Sequence, residues 1–162
     1  AFRESVLESA RQMEARLADS DMGEQVDMVH AVARELCAWG GQADADAVTL
    51  VRDIRRRDAF LRVLIHDVDD EPRRIAEDRL FARIAVCEPG DRVATATVVA
   101  GLAWQRGDGV RARECLRAAL DTDPKYSLAR LLLRALDQAV PPKVWIDAVS
   151  ATTMASCLTG AR

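Results

Sequence analysis

Apolar residues recur at steps of three and four along almost the whole chain, and this period limits what the chain can fold into. In the first stretch they form one stripe of a helix: Phe2, Val6, Ala10, Met13 and Leu17. The stretch 95–99 is rich in β-branched residues, but alanine and leucine continue the helical stripe on both sides of it. We therefore predict an all-α fold of stacked helical hairpins, an α-solenoid or helical bundle with about eight or nine helices.

Residues that cap or break helices mark the predicted boundaries. Gly40-Gly41 supplies a left-handed backbone that would end the second helix. Asp44 and Asp58 suit the N-caps of the third and fourth helices, because an aspartate oxygen accepts hydrogen bonds from first-turn amides. Pro72 fits the first turn of the next helix, and we expect Pro89-Gly90 to stop that helix.

Proline and polar stretches also suggest how the chain is organised. With 162 residues and no low-complexity linker, one compact domain is expected. Further helices are predicted at about 92–106, 110–122 and 126–139, with a short terminal helix after Pro141-Pro142. The expected segments are an N-terminal amphipathic helix or linker at 1–20, a helical domain at 21–149 and a partly disordered tail at 150–162.

Composition and charge narrow the classes of partner. Hydrophobic residues make up 49% and charged residues 30%, the balance of a folded chain rather than a disordered one. The net charge of −3 opposes the positive field that attracts phosphate backbones, so no nucleic-acid partner is expected. No stretch approaches the roughly twenty apolar residues of a membrane helix, so no membrane partner is expected either.

The cysteines indicate the compartment. Cys37, Cys87, Cys115 and Cys157 lie far apart, with no pair at the spacing of a zinc site. Free thiols in a reducing cytoplasm are the simplest interpretation. The chain begins at Ala1 rather than Met, which suggests a processed or excised piece of a longer protein.

Small residues and turn residues recur at fixed places between positions 93 and 126: Ala100, Gly107-Asp108, Ala112, Ala119-Leu120 and Asp123-Pro124. Alanine at helix crossings allows close approach, and Gly107 permits a turn that a side chain would obstruct. In this spacing Val93 to Tyr126 resembles a single tetratricopeptide repeat, a helix-turn-helix unit. The usual first-helix aromatic is missing, since Ala96 and Ala103 stand in its place.

A wider pattern continues beyond this hairpin. GDG at 107–109 and DPKYSLARLLLRALD at 123–137 are similar to the helical C-terminal half of an actinobacterial domain-of-unknown-function family. That resemblance implies a missing N-terminal half and transfers no known activity. In the predicted helix 126–139, Arg134 falls where a further repeat would have a small residue, so this helix is expected to act as a solvating cap.

The tetratricopeptide resemblance implies a partner-binding surface on the first helix of the hairpin. Its inner face would carry Thr97, Gly101, Trp104 and Gln105. A tryptophan there offers a large apolar area and an indole donor to a peptide. The alternative is that neighbouring helices simply cover Trp104.

No residue pattern points to catalysis, a cofactor or a metal. His30 and His66 are the two histidines, and neither has metal ligands at helical spacing on its own helix. No serine sits in a glycine-flanked nucleophile turn, and no glycine loop suits a phosphate. The run Arg55-Arg56-Arg57 suits either a phosphate or acidic partner or a solvated face neutralised by Asp53 and Asp58.

These observations predict a non-catalytic helical scaffold or protein-interaction domain with a protein or peptide partner. The alternative is an accessory helical domain of an enzyme whose active site lies in a missing N-terminal domain or in a partner chain. The apolar stripe of the first helix is expected to dock within the chain, and the alternatives are that it forms a homodimer or contacts a missing domain.

Overall fold

The computed structural model describes residues 1–38 and 42–160, and every regular element in those residues is helical. The ten α-helices in the described residues are α1 (Phe2–Leu17), α2 (Met22–Cys37), α3 (Ala43–Leu50), α4 (Ile54–Arg62), α5 (Asp70–Arg83), α6 (Pro89–Gln105), α7 (Gly109–Thr122), α8 (Ser127–Asp137), α9 (Pro142–Ser150) and α10 (Met154–Thr159). A π-helical turn, Val63–Asp67, follows α4, and a 3-10 turn, Ile84–Val86, follows α5. The predicted all-α class is confirmed.

Of three predicted helix boundaries, one falls outside the described residues, one differs from the structure and one agrees with it. The glycine pair expected to end α2, Gly40-Gly41, lies outside the described residues. Asp53 rather than Asp58 caps α4, and its carboxylate accepts hydrogen bonds from the amides of Arg55 and Arg56 at 3.0 and 3.1 Å. Pro72 lies in the first turn of α5, as predicted.

Asp44 has a different role from the predicted cap. It lies inside the first turn of α3 and is buried there. The Nε atoms of Arg79 and Arg83, both on α5, donate to its carboxylate at 2.8 and 2.7 Å. Arg79 also donates to the carbonyls of Leu36 and Ala38 at the end of α2. One buried carboxylate therefore ties α3 to α5, while the same arginine satisfies free carbonyls of α2.

Pro89 begins a helix instead of ending one. Helix α5 ends at Arg83, and α6 starts with Pro89 at its first position. A proline is tolerated there because the first amides of a helix have no partner within it. The result is a longer α6 than the one predicted from position 92.

Helix α6 occupies the centre of the molecule. Every residue from 93 to 104 is buried, so this helix has no solvent face. It packs along α7 most extensively and also contacts α3, α4, α5, α8 and α9. Ala96, Ala100 and Ala103 let these neighbours come close, because an alanine adds little bulk beyond the backbone.

The junction between α6 and α7 lies where a turn was predicted. Gly107 has a φ of 90°, a conformation that glycine adopts without strain, and the Asp108 carboxylate accepts from the amide of Arg111 at 2.9 Å. Beneath the turn, Glu77 of α5 is buried and accepts two hydrogen bonds from Arg106 at 2.8 Å and one from Arg111 at 2.9 Å. The turn is thus tied to α5 by charge-assisted hydrogen bonds.

The N-terminal helix α1 docks within the chain, mainly on α3. Val6 and Met13 of its apolar stripe are buried, and the Ser9 hydroxyl donates to Asp46 at 2.5 Å. The face that suggested a homodimer is therefore occupied by the chain itself, and dimerisation stays a prediction. In the part of the chain that the structure describes, no helix is both long and apolar enough to cross a membrane.

The segment after α9 carries a helix where a partly disordered tail was expected. Thr153 caps α10 by accepting from the amide of Ser156 at 3.0 Å, and Leu158 is buried against the core. Helix α10 contacts α4 and α2, far back in the sequence. The capped turn and the buried leucine hold this helix against the core.

The docking of α1 can be tested with two neighbouring truncations. We expect Met13→Ala, which removes a side chain only 7% exposed, to lower the free energy of unfolding by about 2 kcal/mol or more. The control Leu7→Ala, at a position 60% exposed on the same helix, should change it by less than about 0.5 kcal/mol. Urea denaturation followed by circular dichroism measures both, and equal midpoints would contradict the docking.

The close contact of α7 with α6 can be tested by overpacking. Ala112 and Ala119 of α7 are fully buried, so a tryptophan at either position should destabilise the chain by about 1–3 kcal/mol. Arg117 is an exposed position of α7, and Arg117→Trp serves as the control. If the three variants unfold at the same denaturant concentration, α7 does not pack as described.

Candidate interaction groove

Helix α9 packs on Gly101 and Trp104, two of the four residues that were predicted to bind a partner. Thr97 is fully buried, and Trp104 is only 5% exposed. The Trp145 indole Nε1 donates to the carbonyl of Gly101 at 3.0 Å, and its ring stacks on that of Trp104 with centroids 6.1 Å apart. Of the two interpretations of Trp104, the structure therefore has the second, in which a neighbouring helix covers this side chain.

Gly101 explains how the indole comes so near the backbone of α6. A Cβ atom at this position would lie 3.1 Å from Cζ2 of Trp145, closer than ordinary van der Waals contact. Because glycine has no side chain, the indole ring can pack directly against the backbone of α6. Sequence analysis placed Gly101 and Trp104 on one surface correctly, but it did not anticipate that Trp145 would fill that surface.

Gln105 lies apart from the other three predicted site residues. It is partly buried at the end of α6 and lines an open polar cleft of about 540 Å³ between α5 and α6. Arg73, Arg74 and Arg106 line the same cleft together with acidic residues of α5. The structure therefore does not bring the four predicted residues into one site.

A largely apolar groove of about 430 Å³ lies among α4, α8, α9 and α10. Its apolar lining is formed by Leu61, Leu128, Leu131, Trp145, Ala148 and Val149. Leu131 is 59% exposed, although leucine is a large apolar residue. The groove therefore holds apolar surface that the chain leaves open to solvent.

Polar groups at one end of the groove are paired with each other. Arg57 is buried, and its Nε and Nη2 atoms donate to Asp58 at 2.9 and 2.6 Å. Its Nη1 donates to the Tyr126 hydroxyl at 2.6 Å. Arg57 therefore helps to join α4 to the start of α8. Its guanidinium is engaged within the chain, so it does not form a phosphate or acidic-partner site with Arg55 and Arg56.

Sequence analysis missed the groove residues, although α8 carries a signal for them. Leucines occupy positions 128, 131, 132, 133 and 136, which is more than one stripe of a helix can bury. Leu132 is buried and Leu131 is exposed, so the leucines divide between the core and the groove. An excess of apolar residues around one helix was the sign of a second apolar surface.

The four cysteines are free thiols, and Cys87 and Cys115 are buried. Burial raises the pKa of Cys37 to about 11 and that of Cys115 to about 12, which keeps both thiols protonated at neutral pH. His30 is partly buried on α2, and His66 is exposed in the π-helical turn. Across residues 1–38 and 42–160, no hydrogen bond joins either histidine to a serine or a cysteine.

These features define an all-helical domain with an apolar groove beside its last helices. Residues 1–143 match the family model described as a domain of unknown function, DUF4192, and the chain belongs to this family. The match covers α1 to α8 and ends just inside α9, so most of α9 and all of α10 lie beyond it. Comparisons with curated proteins and with solved structures each found no match.

The seating of α9 on α6 can be tested by filling the space above Gly101. We expect Gly101→Leu to cost about 1–3 kcal/mol of unfolding free energy, because the new side chain collides with Trp145. Gly90→Leu, on the same helix, is the control, because a Cβ atom at this position would have no neighbouring atom within 4 Å. Combining Gly101→Leu with Trp145→Ala should cost less than the sum of the two single changes, and strict additivity would contradict the contact.

Proposed function

We propose that this chain is a non-catalytic protein-interaction domain of the cytoplasm that binds an amphipathic helix of a partner protein in the groove. The observation that carries the proposal is the solvent-open apolar lining between α8 and α9, with Leu131 exposed at its edge. A groove between two helices suits the apolar face of a third one. Covering this lining would remove apolar area from water at roughly 25 cal/mol per Å².

The hairpin α6–α7 supports a scaffold role. Its small residues and its turn are those of the tetratricopeptide-like unit that the sequence resembles, in a chain of actinobacterial type. In this proposal α9 takes the place of a ligand on the inner surface of the hairpin, through Trp145 on Gly101. Thr97, Gly101 and Trp104 then act as a buried platform, and the partner meets the outer side of the same layer.

The non-catalytic and cytoplasmic parts of the proposal rest on the cysteines and histidines. Cys87 and Cys115 are buried free thiols, which persist in a reducing compartment. Burial raises the pKa of both, the opposite of what a nucleophilic thiol needs. A binding role requires only that these two thiols pack in the core.

The test is to place a charge in the groove and a matched charge elsewhere. Leu131→Glu should abolish partner binding, because it puts a carboxylate into the apolar contact. Val110→Glu is the control, since Val110 is an apolar side chain 81% exposed on α7 and does not line the groove. Affinity capture of native protein followed by mass spectrometry compares the partners of the wild type and both variants.

The expected outcome is a set of partners shared by the wild type and Val110→Glu and lost from Leu131→Glu. Both substitutions lie at exposed positions, so both variants should keep wild-type thermal stability. Retention of every partner by a folded Leu131→Glu variant would refute the groove as the binding site.

A further inference from the structure

The connection between α8 and α9 contains a strained residue. Ala139 has a φ of 54°, a left-handed backbone conformation that crowds the Cβ atom of an alanine and that glycine adopts freely. The other two residues of positive φ in the described part of the chain are glycines. The amides of Ala139 and Val140 donate to carbonyls in the last turn of α8 at 3.1 and 3.0 Å, which holds this conformation. The monomer therefore maintains strain at the residue that leads into α9.

The rest of the connection favours an extended backbone. Val140 and Pro141 each precede a proline, which disfavours the helical conformation for both. Pro141 is extended, with a φ of −64° and a ψ of 144°. Ala139 is therefore the residue that would change conformation if the connection opened into a straight segment. An extended conformation would relieve its strain.

The segment beyond the connection packs mainly on helices other than the one to which it is joined. This terminal arm, residues 142–159, consists of α9 and α10 and contacts α2, α4, α6 and the π-helical turn. Its buried residues are Val149 and Leu158, and the carbonyl of Thr152 accepts a hydrogen bond from Arg62 of α4 at 2.7 Å. With few buried side chains, the terminal arm is a unit that can open while the rest of the domain stays folded.

We infer that two copies of this chain exchange their terminal arms and form a dimer. An arm from a second copy makes the same contacts as the chain's own arm, including that of Trp145 with Gly101, so the exchange loses no packing. Short strained connections favour exchange, and the extended connection of the dimer relieves the strain at Ala139 in both copies. The connecting residues 138–141 span at most about 14 Å when extended, so the two copies lie side by side.

The exchange also changes which chain forms the groove. In the dimer, α4 and α8 of one copy and α9 and α10 of the other line each groove. Both forms present the same apolar lining, because the contacts between the terminal arm and the core are the same. The exchange therefore goes beyond the proposed partner binding and does not depend on it.

The role of the strain can be tested with Ala139→Gly in the full chain. Glycine adopts a φ of 54° without crowding, so this substitution stabilises the monomer and not the extended connection. Gel filtration with light scattering, after incubation from micromolar to millimolar concentration, measures the fraction of dimer. We expect a wild-type dimer whose dissociation constant rises about tenfold or more in Ala139→Gly. Ala18→Gly should leave it unchanged, since Ala18 is exposed at the end of α1 with a φ of −54°.

The contacts of the dimer can be tested by mixing the variants Gly101→Leu and Trp145→Ala. In each variant alone, the contact between α6 and α9 is either too crowded or incompletely filled. Exchange between the two variants pairs a wild-type arm with a wild-type α6, and the shortened side chain with the enlarged one. Native mass spectrometry should therefore show mixed dimers about tenfold or more above their statistical share.

A wild-type chain that stays monomeric at millimolar concentration would overturn the exchange. A dimer that Ala139→Gly leaves unchanged would also overturn it, because strain in the connection would then play no part. If the mixed variants form dimers only in statistical proportion, the dimer uses another surface, such as the apolar stripe of α1, and the exchange is wrong.

Discussion

The architecture depends on the burial of residues 93–104 of α6 on all sides. A helix without a solvent face must be surrounded by other elements, and its neighbours here come from both ends of the chain. Alanines at 96, 100 and 103 allow these neighbours to lie close to its backbone. Helices α3, α4 and α5, from the N-terminal half of the chain, pack against α6. Helix α7 runs along it, and α9 packs on the face that carries Gly101 and Trp104.

A buried carboxylate fixes how the elements around α6 are arranged. Glu77 on α5 receives hydrogen bonds from Arg106 and Arg111 at the turn between α6 and α7. The hydrogen bonds that Arg106 donates to Glu77 raise the pKa of this arginine well above its ordinary range. Losing one partner would leave a charge buried without compensation, so this contact specifies the position of α5 against the hairpin.

The groove is a consequence of the way α9 completes the core. The Trp145 ring packs on Gly101, its indole N–H donates to the backbone of α6, and the same residue lines the groove. The packing of Trp145 therefore both covers α6 and forms part of the groove wall. Leu131 remains outside because α8 carries more leucines than the core can take, and this surplus gives the domain its candidate contact surface.

The helical class, the turn at Gly107 and the crossing alanines of α6 and α7 followed from the sequence, because they depend on short-range periodicity and on the conformational freedom of single residues. The roles of Asp44 and Asp53 and the start of α6 at Pro89 did not, and the covering of Trp104 was one of two alternatives that the sequence left open. Each depends on a side chain or helix that is distant in the sequence, such as Arg79 for Asp44 and Trp145 for Trp104. Local pattern determines which face of a helix is apolar, and only tertiary packing decides whether that face is covered by the chain itself or left for a partner.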